Sequence, residues 1–379
     1  MKHNSHTKPI AVVLGIGLIG GSLALCLQQR TQLQVYGYDV NEESLAIAQE
    51  LQVITKGFTD LESAVAEADF IFLAVPVEAS KRLLSQLSNL QLKEGCIISD
   101  VGSTKDEVVR HAAELPGITT TFIGGHPMAG SHQTGVRASH SLLFENAYYV
   151  LTPLPHTPLA QVAALSRILE QATRAKLVIM APDHHDRVVG AISHLPHVIA
   201  SGLVNLVERY NEENEWFHHL AAGGFRDLTR VAAADPVMWR DILLSNQQAL
   251  LPLMEDWILE MKEIYTAIAE ANQTGIEDFF TRARRSRQGL PERKRGALPS
   301  FYECYVDVPD RLGMIAEVAA VLAEEKINIQ NVGVMENREE RAGVMRLVFA
   351  EEGELMQAHD VLQARGYRVY DEEEEKGKR

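Results

Sequence analysis

Along the first 180 residues, short apolar runs alternate with longer amphipathic stretches. Residues 9–14, 33–38, 70–75, 96–100, 121–123, 147–151 and 177–180 are short and rich in β-branched or aromatic side chains, so they read as buried strands. The segments between them read as helical or polar, which predicts a doubly wound parallel sheet. From about Asp183 the period lengthens to that of helices. Residues 183–210 form one such segment, interrupted at Pro196, and a second opens with Asp235 as N-cap and Pro236 in the first turn, running to about Ala271. After residue 300 the period changes again: strand over 301–308, helix over 313–325, strands over 327–335 and 344–350, helix over 354–365 closed by Gly366, and a last strand over 367–370. That βαββαβ order is the ferredoxin-like arrangement. The expected organisation is an α/β Rossmann-type domain over 1–182, an all-helical domain over 183–281, a linker over 282–299, a ferredoxin-like domain over 300–371 and a charged tail over 372–379.

The first apolar run ends in Gly15-Ile16-Gly17-Leu18-Ile19-Gly20, a helical segment follows, and the second run ends at Asp39, 19 residues after Gly20. Strand, glycine turn, helix, strand and acid at this spacing form a dinucleotide fingerprint. Gly15 permits the tight turn, Gly17 lets backbone approach a pyrophosphate, and Gly20 lets helix and strand pack closely. Asp39 would accept hydrogen bonds from ribose hydroxyls and repel a 2′-phosphate, which favours NAD over NADP. Other strand ends line the same crevice: Val75-Pro76, Ser103 after the fourth main run, and Gly124-Gly125-His126-Pro127. A histidine among glycines at a strand end suits a general base at neutral pH, and Ser103 can meet it beside the nicotinamide. The plainer reading makes His126 a loop histidine and Ser103 an N-cap of the helix at 105–113.

Composition narrows the class of partner. A formal charge of −15 argues against nucleic acid or an anionic membrane. Cys26, Cys96 and Cys304 are far apart and lie in apolar segments, as expected of buried thiols in a reducing compartment. Residues 10–27 lack charge, yet four glycines suit a strand and turn better than a membrane span, so a cytoplasmic enzyme is expected. The stretch 282–295 holds seven Lys or Arg against one acid, Glu292, and reads as a linker. In the helical domain His194 and His197 are three apart and share a face. A metal is the lesser reading there, because no acid or cysteine stands at a recognised ligand spacing. Arg226 and Arg230 are four apart, and one of them could clamp a carboxylate with two hydrogen bonds or form a surface ion pair.

These motifs, with Gly124 to Gly130, His194-Leu195-Pro196-His197, Thr229-Arg230 and Asp235-Pro236, resemble the prephenate dehydrogenase family over nearly the whole chain, and the last segment is similar to an ACT regulatory domain. The resemblance implies NAD-dependent oxidative decarboxylation of prephenate to 4-hydroxyphenylpyruvate in tyrosine biosynthesis. It further implies His126 as base, Ser103 hydrogen-bonded to the substrate hydroxyl and the nicotinamide, His197 positioning the substrate, and Arg230 binding its carboxylate, with His194 and Arg226 nearby. The helical domain would form a homodimer. Tyrosine is the expected effector, bound near Asp310, Arg311, Leu312, Gly313, Asn328 and Asn331. His132 stands where many members carry an acid, and bears on substrate preference. Arogenate is the rival substrate; a β-hydroxyacid dehydrogenase and an NAD- and amino-acid-sensing regulator are the more distant alternatives.

Overall fold

The strand Ile10–Leu14 (β1) faces apolar core on both sides: Ala11 and Val13 pack into one cluster, Val12 and Leu14 into the other. A strand buried this way reads as a continuous apolar run, and helices must cover both faces of its sheet. The computed structural model describes residues 8–118, 121–130, 133–289, 302–309, 311–329, 331–335, 343–349 and 351–370. It divides into two units, Met1–Glu292 and Arg293–Arg379.

In the first unit β1 is joined by Gln34–Tyr38 (β2), Lys56–Phe58 (β3), Phe70–Leu73 (β4), Ile97–Asp100 (β5), Phe122–Pro127 (β6), Tyr148–Pro153 (β7) and Lys176–Ile179 (β8). Their order is β3-β2-β1-β4-β5-β6-β7-β8. The direction of winding reverses between β1 and β4, the switch point where open α/β sheets bind ligands. The sheet is not parallel throughout, as the alternation of elements suggested. β7 pairs antiparallel with β6, His126 opposite Val150, and β8 runs parallel to β7. Between β6 and β7 the described residues form only the short helix Val136–Ala138, and the chain returns along β6 antiparallel to it. β6 also extends past the apolar run at 121–123: Gly124, Gly125, His126 and Pro127 are themselves strand and buried.

The helices differ from expectation at two places. Pro196 does not interrupt its helix. Pro182–Val189 continues through a π-helical segment, Gly190–His194, into Leu195–Asn211, a wider turn that accommodates a proline lacking an amide hydrogen. The helix opened by Asp235, whose side chain accepts from the Met238 amide, breaks at Asn246 into Pro236–Ser245 and Gln247–Ala269. Asn246 is buried with its side chain turned toward the site. The basic stretch begins as helix, because Gln273–Gly289 runs on through Arg282, which lies 3.6 Å from Glu263. The rest of that linker, 290–299, and the tail at 372–379 lie outside the described residues.

The second unit has strands Tyr302–Val308 (β9), Asn331–Met335 (β10), Gly343–Phe349 (β11) and Arg368–Tyr370 (β12), and helices Met314–Glu324 and Glu352–Ala364. The antiparallel order β10-β11-β9-β12 is ferredoxin-like. Val306, Val318, Leu322, Leu347, Phe349 and Leu362 fill the core between sheet and helices.

Candidate active site

The glycine turn is built by contacts that no side chain would allow. A Cβ on Gly20 would lie 1.9 Å from the Gly15 carbonyl oxygen, and one on Gly15 would lie 2.6 Å from the Ala74 carbonyl oxygen. Gly17 is different: a Cβ there meets nothing within 4 Å. Gly15 and Gly20 therefore let strand and helix touch, while Gly17 borders open space. Helix Leu18–Arg30 starts at Gly17 with no side-chain cap, so its first amides face that space with the positive end of the helix dipole. Ile16 spends its amide on Asp39 Oδ2 at 2.8 Å, and Asp39 Oδ1 accepts from the Asn41 amide at 2.9 Å. Each carboxylate oxygen keeps a second lone pair. With half-buried Val75 and exposed Pro76 following β4, these residues fit a dinucleotide: a cradle without side chains, an uncapped helix end, and an acid at the end of β2.

Ser103, half-buried, lies just after β5, the strand beside β6. It does not cap the following helix. That helix is Asp106–Glu114, and its first amides are taken by Asp186 from 80 residues away: Lys105 N donates to Oδ1 at 2.7 Å and Asp106 N to Oδ2 at 2.9 Å. A carboxylate at a helix N-terminus is favoured by unpaired amides and by the dipole. Lys105 is fully buried and bonded to Asp100, whose other oxygen accepts from Gly125 N at 3.0 Å. Burial pushes the Lys105 ammonium below its usual range, against the pull of Asp100. Removing one partner from such a buried pair typically costs about 3–5 kcal/mol.

His126 is reached from the helical domain. Its Nδ1 lies 2.8 Å from His185 Nε2, and His185 Nδ1 lies 2.7 Å from Asp186 Oδ1. Burial, followed by the neighbouring His185, Lys105 and His194, holds the His126 pKa well below the ordinary imidazole range. His194 is depressed to about 4, mainly by burial, and its Nδ1 lies 2.9 Å from Asn246 Nδ2, which also donates to the Asp186 carbonyl. His197 Nδ1 donates to the Ser193 carbonyl at 2.8 Å, leaving Nε2 as its acceptor. Its ring stacks on Trp239 at 3.9 Å, and His194 meets the same indole edge-on at 5.8 Å. Trp239 Nε1 is buried without a partner among the described residues.

The two arginines diverge. Arg226 turns its Nε to the Ala221 carbonyl at 3.2 Å on helix Gly223–Thr229. Arg230 is exposed and opens the short helix Arg230–Ala233, which packs on the helix bearing His197. A cavity of about 550 Å³ reaches Asp186 and Asn246 but is lined by charged side chains and none of these histidines, so the chemistry centres elsewhere. Among the described residues no group of three or more His, Cys, Asp or Glu is placed to hold a metal. His132 lies outside the described residues, as does Asp310.

In the second unit Gly313 has φ +89°, a left-handed turn that starts helix Met314–Glu324. Beside it Arg311 donates to Glu317 at 2.7 Å, Tyr367 donates to the other oxygen of Glu317 at 2.9 Å, and Leu312 is fully exposed. Asn328 is exposed, and Asn331 opens β10 opposite Val348.

Sequence reasoning missed His185, Asp186, Lys105, Trp239 and Asn246. His185 and Asp186 stood in a histidine-rich start to the helical segment, but only the packing of that helix on β6 brings them to His126.

Residues 23–179 match the prephenate dehydrogenase nucleotide-binding domain, 181–282 the prephenate dehydrogenase dimerization domain, and 305–364 an ACT domain like that of the AHAS small subunit. The chain is 40% identical to the prephenate dehydrogenase of Bacillus subtilis over 361 residues, covering 94% of this chain and 96% of that one. It is 40% identical to the enzyme of Lactococcus lactis over 355 residues, covering 93% and 97%. A crystal structure of prephenate dehydrogenase from A. aeolicus with hydroxyphenyl propionate and NAD+ superposes with a TM-score of 0.70 at 30% identity, covering 76% of this chain and all of that one. Glycine turn, buried strand-end histidine and helical second half thus occur in a chain that belongs to the prephenate dehydrogenase family.

Proposed function

We propose that this chain oxidises prephenate with NAD and releases carbon dioxide and 4-hydroxyphenylpyruvate, with His126 as the base. The observation that carries this reading is a buried histidine, held neutral by its surroundings, at the end of a strand in the same sheet as an uncapped glycine turn, with β4 and β5 between them. NAD, when bound, accepts the hydride. The residues of the chain do the rest. Neutral His126 takes the proton of the ring hydroxyl as the hydride leaves the carbon bearing it. The bond to the ring carboxylate then breaks, its electron pair completes the aromatic ring, and His126 returns the proton to the ring oxygen. No net proton is released. Aromatisation supplies the driving force, so the site contributes position and one proton acceptor.

Ser103 hydrogen-bonds the substrate hydroxyl and the nicotinamide, and His197 offers Nε2 to the substrate while Trp239 holds its ring. Arg230 has no partner within hydrogen-bonding reach among the described residues and can clamp a carboxylate through two parallel hydrogen bonds, whereas Arg226 is turned to its own backbone. Asp39 selects NAD over NADP. Two chains form a dimer through the helical domain. Ile192, Leu206, Leu251 and Leu259 leave an apolar face exposed there, and only 22% of the apolar window in helix 182–211 is buried within one chain. Tyrosine binds the ACT domain around Arg311, Leu312, Gly313, Asn328 and Asn331 and lowers activity.

The test is the rate of NADH formation with purified protein and NAD, with prephenate or arogenate, each with and without tyrosine. Turnover of prephenate suppressed by tyrosine is expected. Turnover of arogenate alone would reassign the substrate, and no turnover of either would overturn the reading.

A further inference from the structure

With both rings neutral, the bonds behind His126 allow only one arrangement of protons. Asp186 is 2% exposed and fixed by the Lys105 and Asp106 amides, and a carboxylate only accepts. His185, 1% exposed, must therefore carry its proton on Nδ1, the nitrogen 2.7 Å from Asp186 Oδ1. A neutral imidazole has one N–H, so His185 Nε2 is a bare acceptor. His126 Nδ1, 2.8 Å from that nitrogen, must then hold the proton of its own ring. With His126 in the opposite tautomer, two lone pairs would face each other across 2.8 Å. Shifting the His185 proton to relieve this would set its other lone pair against the Asp186 carboxylate.

From this geometry we infer that His185 is a positioning residue for the reaction: backed by Asp186, it fixes His126 with its proton on Nδ1 and its lone pair on Nε2, the nitrogen free to take the substrate proton. The inference rests on the reading of His126 as the base. It adds a dependence of that base on a carboxylate in the helical domain, two hydrogen bonds away. When His126 becomes an imidazolium, its Nδ1–H bond to His185 becomes charge-assisted and stronger, which offsets only part of the opposing effect of burial and of the surrounding charges. A general base of this kind contributes about 10²- to 10⁴-fold.

Two substitutions and one spectrum test this. His185→Gln keeps the pattern, since its amide oxygen can accept from His126 and its NH₂ can donate to Asp186; kcat is expected within about fivefold of the parent enzyme. His185→Phe keeps a ring but loses both bonds; kcat should fall about 10²-fold with the KM for prephenate changed by less than about threefold. A merely structural role would not be restored by glutamine, whose shape differs more from histidine than phenylalanine's does. In the ¹⁵N spectrum of histidine-labelled full-length protein at neutral pH, His126 should be protonated at Nδ1 and bare at Nε2. A protonated Nε2 there, or full kcat in His185→Phe, would overturn the inference. If His185→Phe does not fold, the spectrum of the parent protein still decides. The base assignment fails separately, if His126→Asn retains kcat, and the spectrum does not depend on that result.

Discussion

As the proposed base, His126 gains its usefulness from being hard to protonate. In water an imidazole is charged below about pH 6.5 and cannot then act as a base. Here burial, with His185, Lys105 and His194 adding to it, moves the protonation of His126 well below that range. With His126 as the base the neutral form is the active one, so the sign is direct: kcat/KM should be flat through neutral pH and fall only at acid values below the ordinary imidazole range. A pH profile of kcat/KM for prephenate checks this. A falling limb centred near pH 6.5 would mean that the base titrates like a solvent-exposed histidine. The depressed value also has a limit in favour of catalysis, because a base that binds its proton weakly returns it readily to the ring oxygen at the end of the cycle.

At the scale of elements, the glycine turn separates two roles that one motif combines. Gly20→Ala would drive a methyl into the Gly15 carbonyl, and since the obstacle is backbone the helix Leu18–Arg30 must move from β1. A cost of about 1–3 kcal/mol is expected, read as a lower denaturant midpoint. Gly17→Ala meets no protein atom, so stability should hold while the KM for NAD rises about tenfold or more, because the methyl occupies the space left for the pyrophosphate. Equal effects of both substitutions on stability would remove the distinction. This turn was legible in the sequence because its function depends on local backbone geometry, and local geometry leaves glycines at fixed spacing. The ferredoxin-like order of the second unit was legible for the same reason. The inverted β7 was not, since an apolar run has no direction. The His185–Asp186 support was not either: a histidine and an aspartate at a helix start look alike whether they face solvent or another domain, and only the approach of helix Pro182–Val189 to β6 decides.

Across the first unit, the same buried histidines tie stability to pH. His194 falls to about 4 in the folded protein against about 6.5 unfolded. Between those values the unfolded chain binds a proton that the folded one refuses, so stability is lost as pH falls through that window, by up to roughly 3 kcal/mol for this one group. His194→Gln should reduce the drop in Tm between pH 7 and pH 4.5, and an unchanged drop would assign the acid sensitivity to other groups.

The second unit raises the larger question of whether regulation is separable from turnover. Its sheet and two helices enclose their own core of Val306, Val318, Leu322, Leu347, Phe349 and Leu362, so cutting after Glu292 removes a complete hydrophobic unit and leaves the glycine turn, β6 and the histidines intact. If tyrosine acts through this unit, the truncated protein should turn over prephenate and lose inhibition by tyrosine. The coupling at stake is typically 1–3 kcal/mol, about a 5- to 150-fold change in apparent affinity, and it is reciprocal: in the full chain, saturating prephenate should weaken tyrosine binding by the same factor. Titrating tyrosine by calorimetry with and without substrate measures that factor directly. Inhibition that survives truncation would place tyrosine at the histidines, competing as a 4-hydroxyphenyl compound for the site where the aromatic product forms, and the reciprocal factor would then have no ceiling short of full exclusion.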